Sequence, residues 1–185
     1  ISLAQRNFDI SDPPTSWRDF LDGRSLTGAG QDLSISIQPG RQRSQYSVQF
    51  TEPYLLGFPV PFGVTLSARD RHREDWLESR FGGTLSLGYR FSQDLTLRAS
   101  YRLEEIRVSE VEFGAVPDVI EVAGDNLISG LGLRLSYNRN LVDRDFIAYG
   151  GYAFSLGYEV VGSLLGGDHD FQRATLEANW QHALL

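Results

Sequence analysis

Apolar and polar residues alternate with a period of two along most of the chain. In the stretch "FGGTLSLGYRF" at 81–91, odd positions are mostly large and apolar, and even positions are Gly, Thr, Ser or Arg. Such alternation predicts β-strands with two unlike faces. We expect roughly nine strands, which lie at 1–8, 33–37, 46–50, 64–68, 81–91, 95–104, 131–138, 152–160 and 174–180.

The connections between these strands are of two kinds. Those at 50–63 and 91–95 are compact and contain aromatic residues, whereas 69–80 and 104–126 are longer and charged. Because a meander returns to the same side at every second connection, one end of the sheet should carry tight turns and the other charged loops. A long segment near the start falls on the tight-turn side, and we expect a short helical insertion at 15–23.

The composition of the two faces distinguishes a membrane barrel from a soluble one. The polar set contains small residues and Arg, which suits a crowded polar interior, and the apolar set includes aromatic residues towards the strand ends, as in a lipid-facing band. We therefore predict an all-β antiparallel meander of a transmembrane β-barrel. The residues expected to face lipid are Leu85, Leu87, Tyr89, Leu97, Tyr101, Leu133 and Leu135. Those expected to face the lumen, with each Arg paired to a carboxylate, are Arg98, Arg102, Arg134, Glu104, Glu159 and Glu177.

A soluble ligand-binding barrel alternates in the same way, with its apolar side chains inside. In that interpretation Leu85, Leu87 and Leu133 would converge on an enclosed core. No apolar run approaches the ~20 residues of a membrane-spanning helix.

Length and charge restrict the alternatives further. A chain of 185 residues predicts a single domain at 1–185, and the absence of cysteine excludes disulfides and cysteine-based metal sites. The formal net charge of −7 argues against a nucleic-acid partner, since nucleic-acid surfaces need clustered positive charge.

The sequence gives only weak matches to motifs of catalytic sites. None of the three histidines lies in a zinc-protease or nucleophile-elbow pattern. "GGDHD" at 166–170 is interpreted as a polar hairpin tip in preference to a metal site. We therefore expect no enzymatic activity, no metal and no cofactor.

The stretch "YSVQFTEPYL" resembles the strand-turn motif F-[ST]-[DE]-P-[YWF] of BamA-type outer-membrane protein assembly factors. The matching residues are Phe50, Thr51, Glu52, Pro53 and Tyr54. Further stretches are similar to family segments in the same order, including "GGTLSLGYRFSQDLTLRASYRLE" and "LRLSYNRNLVDRDF". Pro53 removes a donor that the turn could not pair, and Glu52 is expected to accept backbone N–H groups or to pair with an Arg.

This resemblance implies a bacterial outer-membrane barrel that folds and inserts other outer-membrane proteins. Its implied partners are outer-membrane lipid, client outer-membrane proteins and accessory assembly lipoproteins. A passive pore, a TamA-like relative, a two-partner secretion translocator and the soluble barrel stay open as alternatives.

The family barrel has sixteen strands, so the chain is expected to be an incomplete part of it, without the family's POTRA repeats. Bacterial single-chain barrels use even strand numbers. We therefore expect the sheet to stay open, with the strands that contain Leu3 and Leu176 as its edges.

Overall fold

The computed structural model describes residues 1–18, 25–73, 75–111, 120, 122–142, 148–162 and 165–182. They form one nine-stranded antiparallel sheet in which every strand pairs with its neighbours in sequence. Its strands are β1 (Ser2–Phe8), β2 (Thr27–Gln38), β3 (Arg43–Glu52), β4 (Phe62–His72), β5 (Leu77–Arg90), β6 (Leu95–Ser109), β7 (Gly124–Val142), β8 (Ala148–Val161) and β9 (Phe171–His182). Within those same ranges, no helix has the length and apolar character needed to span a bilayer.

The predicted nine-stranded open meander is confirmed. β1 and β9 are the two edges of the described sheet, and no ladder joins their described residues. Residues 19–23 of the expected helical insertion at 15–23 lie outside the described residues. That helix and the single-domain assignment stay predictions.

The strands extend further towards the charged loops than the alternation indicated. β6 continues to Ser109 and β7 begins at Gly124, although 104–126 was expected to be a loop. In the same way β4 reaches His72 and β5 begins at Leu77, inside the expected loop 69–80. Charged residues stand on both faces of these strand ends, so the alternation of hydrophobicity is lost where backbone pairing continues.

Strand register places the two residue sets on opposite faces. One row across the sheet contains Leu87, Ala99, Leu133 and Tyr158, and the next row on that face contains Tyr89, Leu97, Leu135 and Leu156. Between them, on the other face, lies the row Gly88, Arg98, Arg134 and Gly157. Since residues two apart on a strand share a face, an apolar face and a polar face run across the sheet.

The sheet has almost no enclosed core. The buried hydrophobic side chains among the described residues are Phe8, Val108 and Val161. The accessible surface is 13681 Å² for a chain of 20.7 kDa, whereas a compact monomeric protein of that mass exposes about 8,900 Å². The molecule is therefore a single layer whose apolar face is not covered by another part of the described chain.

Candidate functional site

A network of ion pairs lies on the polar face, centred on Arg102 of β6. The Arg102 guanidinium donates to Glu159 Oε1 on β8 through Nη2 at 2.8 Å and Nε at 3.1 Å, and to Glu104 through Nη1 at 3.0 Å. Glu159 also accepts from Arg173 on β9. The Glu159 side chain is 15% exposed and that of Arg102 is 27% exposed, so both are poorly solvated, whereas the side chain of Arg173 is 61% exposed.

A second cross-strand contact repeats the arrangement one strand further along. Arg134 on β7 donates to Ser155 on β8 at 3.2 Å and lies 3.5 Å from a carboxylate oxygen of Glu177 on β9. Ser155 itself donates to Glu177 at 3.1 Å. Each arginine therefore contacts a carboxylate two strands away and crosses the strand between them.

Glycine stands on the crossed strand under each contact, where a large side chain would obstruct it. A Cβ at Gly130 on β7 would lie 3.1 Å from Glu159 Oε1, and a Cβ at Gly157 on β8 would lie 3.6 Å from Arg134 Cζ. The guanidinium and carboxylate groups can thus lie flat across the sheet. This explains why Gly, Arg and Glu share one face in the sequence.

The structure brings most of the predicted polar residues together. Arg102, Glu104 and Glu159 form one group, and Arg134 and Glu177 form another. Arg98 lies on the same face, but no described carboxylate lies within 4.0 Å of it, so the ion pair expected for Arg98 is absent there.

Arg173 and Ser155, which take part in these contacts, were not predicted from the sequence. Each has the same parity on its strand as a polar-face residue, Glu177 and Gly157 respectively, and this parity could have indicated that they lie on the polar face.

The apolar face is open. All of the residues expected to face lipid share it, and Leu85, Leu87 and Leu133 are 49%, 47% and 52% exposed. Such side chains do not converge on an enclosed interior, as a soluble ligand-binding barrel would require.

Aromatic residues are concentrated on this face at the end that carries the turn 91–94. The rings of Tyr89 and Phe91 meet edge to face at 5.0 Å. Tyr137 and Tyr152 stack with ring centroids 5.8 Å apart, and Trp180 lies next to Tyr152 in register. This row matches the aromatic girdle expected at one edge of a lipid-facing band.

The motif residues Phe50, Thr51, Glu52, Pro53 and Tyr54 span the end of β3 and the start of the turn that follows it. Glu52 Oε1 accepts the backbone N–H of Tyr54 at 2.8 Å, which confirms the backbone contact expected for Glu52. The chain then forms a short 3₁₀ turn at Leu55–Gly57, in which Leu56 has a left-handed φ of 53° and is 88% exposed. The turn therefore presents large apolar side chains outward.

The other oxygen of Glu52 connects this turn to the one between β1 and β2. Gln31 Nε2 donates to Glu52 Oε2 at 2.8 Å, and Gln31 Oε1 accepts the backbone N–H of Ile10 at 2.9 Å. Gln31 is only 7% exposed. Phe8 and Phe50 pack edge to face beside it with ring centroids 6.4 Å apart. The motif thus stabilises two neighbouring turns, a role that the sequence did not indicate because Gln31 lies outside the motif.

The "GGDHD" segment contacts the start of β7. Asp168 accepts the backbone N–H of Leu127 at 2.6 Å, and His169 Nε2 lies 3.0 Å from Asn126 Oδ1. Among the described residues no group of three His, Cys, Asp or Glu side chains could hold a metal ion. The polar side chains of this segment therefore hold the β8–β9 connection against the edge of β7.

The amino-acid sequence is similar to those of known proteins. Residues 26–185 match the model of the Omp85 superfamily domain. The outer membrane protein assembly factor BamA of Neorickettsia risticii (strain Illinois) is 26% identical over 157 residues, which is 83% of this chain and 21% of that protein. The BamA of Nitratidesulfovibrio vulgaris is 24% identical over 161 residues, 87% of this chain and 20% of that protein. The chain therefore spans about a fifth of the length of these curated relatives.

A solved structure shares the fold. The crystal structure of BamA from Haemophilus ducreyi lacking POTRA domains 1–3 matches with a TM-score of 0.54 and 14% identity, over 94% of this chain and 32% of that one. The open nine-stranded meander is thus similar to part of the BamA structure. The chain belongs to the Omp85 superfamily of bacterial outer-membrane proteins.

Proposed function

We propose that this chain forms part of the barrel wall of an outer-membrane protein assembly factor that folds and inserts other outer-membrane proteins. The observation that carries the proposal is the match of the Omp85 superfamily domain over residues 26–185. The two relatives whose printed name is outer membrane protein assembly factor BamA support the same activity.

In this proposal the apolar face contacts lipid and the polar face lines the lumen. The half-exposed leucines of the apolar face support this orientation, because in water such a surface would remain unfavourably hydrated. The paired arginines and glutamates support the lumen assignment, because a lipid-facing arginine near the midplane would cost about 2–4 kcal/mol.

The exposed turn after β3 then lies at the membrane boundary. Tyr54, Leu56 and Phe58 are all exposed there. Amphipathic aromatic side chains are favourable at headgroup level, and apolar ones can enter the acyl boundary. The hydrogen bonds from Ile10 to Gln31 and from Gln31 to Glu52 would keep this turn in one orientation as the surrounding lipid moves.

The mechanism implied by the family resemblance is opening of a seam between the first and last barrel strands. A client strand would pair with the exposed edge by β-augmentation, with backbone hydrogen bonds providing the affinity. No covalent step is involved, so the protein is not proposed to be an enzyme. The proposed partners are outer-membrane lipid, client barrel proteins and accessory assembly lipoproteins.

The proposal is tested by depletion of the full-length protein in its host. We expect many outer-membrane barrels to decrease together in the outer-membrane fraction, with their unfolded precursors accumulating in the periplasm. Re-expression of the wild-type gene is the control and should restore them.

Other outcomes would favour the alternatives. Loss of a single exported protein would indicate a two-partner secretion translocator. Unchanged barrel levels together with lost small-solute uptake would indicate a passive pore.

A further inference from the structure

Two pairs of arginines stand directly opposite each other on the polar face. Arg98 of β6 is in register with Arg134 of β7, and Arg69 of β4 is in register with Arg80 of β5. Like charges in directly opposite positions destabilise a sheet unless something neutralises them. On this face of β4–β9 arginines also outnumber carboxylates, although the whole chain has a formal net charge of −7.

One member of each pair has no carboxylate partner in the described part of the chain. Arg134 contacts Glu177, and Arg80 contacts Glu78 and Glu104. Within residues 1–182 as described, neither Arg98 nor Arg69 has a carboxylate within 4.0 Å. The Nε of Arg69 is buried without a hydrogen-bond partner, which is a costly state for a guanidinium N–H.

A notch of about 210 Å³ lies on the polar face beside Arg134. Its lining includes the small residues Ser100, Gly132 and Gly157 together with Arg102, Arg173 and Glu159. Glu159 already pairs with Arg102 and Arg173, so within the described residues the guanidinium of this region that has no carboxylate is that of Arg98, opposite Arg134. A carboxylate could accept paired hydrogen bonds from such a guanidinium.

The two pairs are too far apart for one small anion. One pair includes Arg80 of β5, and the other pair lies in the row of Gly88, eight residues further along the same strand. Eight residues of a strand span roughly 27 Å, which is the distance between the two pairs along the strand. An extended polypeptide with several carboxylates covers that distance. We propose that the polar face binds an acidic polypeptide segment, which presents one carboxylate to Arg98 and Arg134 and another to Arg69 and Arg80.

This inference rests on the arrangement of side chains and not on assembly activity, so it is tested by binding alone. The full-length protein in detergent micelles is titrated at low ionic strength into fluorescently labelled octa-glutamate and tetra-glutamate, with anisotropy as the readout. An extended octa-glutamate is roughly 27 Å long and can reach both pairs, whereas tetra-glutamate is roughly half as long. We expect the octamer to bind more tightly.

The variants Arg98→Gln and Arg69→Gln should each weaken octamer binding by about tenfold, which is the order of one lost charge-assisted hydrogen bond. Arg98 makes no ion pair with a described residue, so Arg98→Gln should leave the fold intact, as circular dichroism can verify. Arg139→Gln is the matched control, because it removes the same charge from the opposite face of β7.

Three results would overturn the proposal. The first is no binding of octa-glutamate to the wild-type protein. The second is an equal loss in Arg139→Gln, which would indicate diffuse attraction. The third is equal binding of the two peptides, or their displacement by inorganic phosphate at equal charge, which would indicate a small-anion site.

Discussion

Arg102 on β6 and Glu159 on β8 form an ion pair of 2.8 Å across the intervening strand β7. The contact is possible because Gly130 and Gly132 present no side chain on that face of β7. Glu159 also contacts Arg173 on β9, so one carboxylate holds arginines from two strands. This connects β6 with β8, two strands that share no backbone hydrogen bonds.

The first prediction is that Glu159→Gln destabilises the protein. The substitution removes the carboxylate that Arg102 and Arg173 share. Arg102 keeps Glu104 as a partner but loses charge-assisted hydrogen bonds in a poorly solvated position, which costs about 1–3 kcal/mol. The measurement is urea unfolding of the full-length protein in lipid vesicles, followed by tryptophan fluorescence.

Glu105→Gln is the matched control for that prediction. Glu105 pairs with Arg107 on the apolar face, where both side chains are about half exposed. Exposed ion pairs contribute little, so this variant should unfold like the wild type. Equal destabilisation by both variants would show that the Glu159 network has no special role.

The second prediction contrasts two glycines on the polar face. A Cβ at Gly82 would lie 2.7 Å from the backbone oxygen of Leu103, whereas at Gly157 the nearest atom would be 3.6 Å away. Gly82→Ala should therefore force strand β5 away from β6 and destabilise by about 1–3 kcal/mol. Gly157→Ala should be neutral in the same urea assay. A neutral Gly82→Ala would show that the strands can separate locally without cost.

The third prediction concerns the contact between the two turns. Gln31→Ala and Glu52→Ala should each destabilise the protein by about 1–2 kcal/mol, because each leaves a hydrogen-bonding group of the other turn unsatisfied. The double variant should cost less than the sum, since both changes break the same hydrogen bond. Additive effects in this double-mutant cycle would mean that the 2.8 Å contact between Gln31 and Glu52 does not connect the turns energetically.

The strand count and the two faces could be predicted from the sequence because a period of two depends only on neighbouring residues along the chain. The partners across strands could not. Arg102 and Glu159 are 57 residues apart, and their contact depends on the register of two successive hairpins and on glycine in β7. The same limit applies to Arg98, whose parity predicted its face correctly but gave no information about nearby carboxylates.

The positions at which the strands end could not be predicted from the sequence pattern either. Glu104 to Ser109 looked like a loop because charges occupy both parities, yet β6 continues through them. Pairing there is maintained by the backbone ladders to residues 124–128 on β7 and 77–82 on β5, which do not require an apolar face.

The last prediction tests the orientation of the two faces. Single cysteines are placed at Leu133 and Ser136 on β7, in a full-length background otherwise free of cysteine, and are spin-labelled in lipid vesicles. Leu133 lies on the apolar face and Ser136 on the polar one. Oxygen concentrates in lipid and a charged nickel chelate stays in water, so the label at Leu133 should relax more with oxygen and the label at Ser136 more with nickel. Leu97 and Ser100 on β6 form a second pair that should behave in the same way. If the labels at Leu133 and Leu97 were shielded from both reagents, those side chains would lie in an enclosed core, and the membrane orientation proposed for this sheet would be wrong.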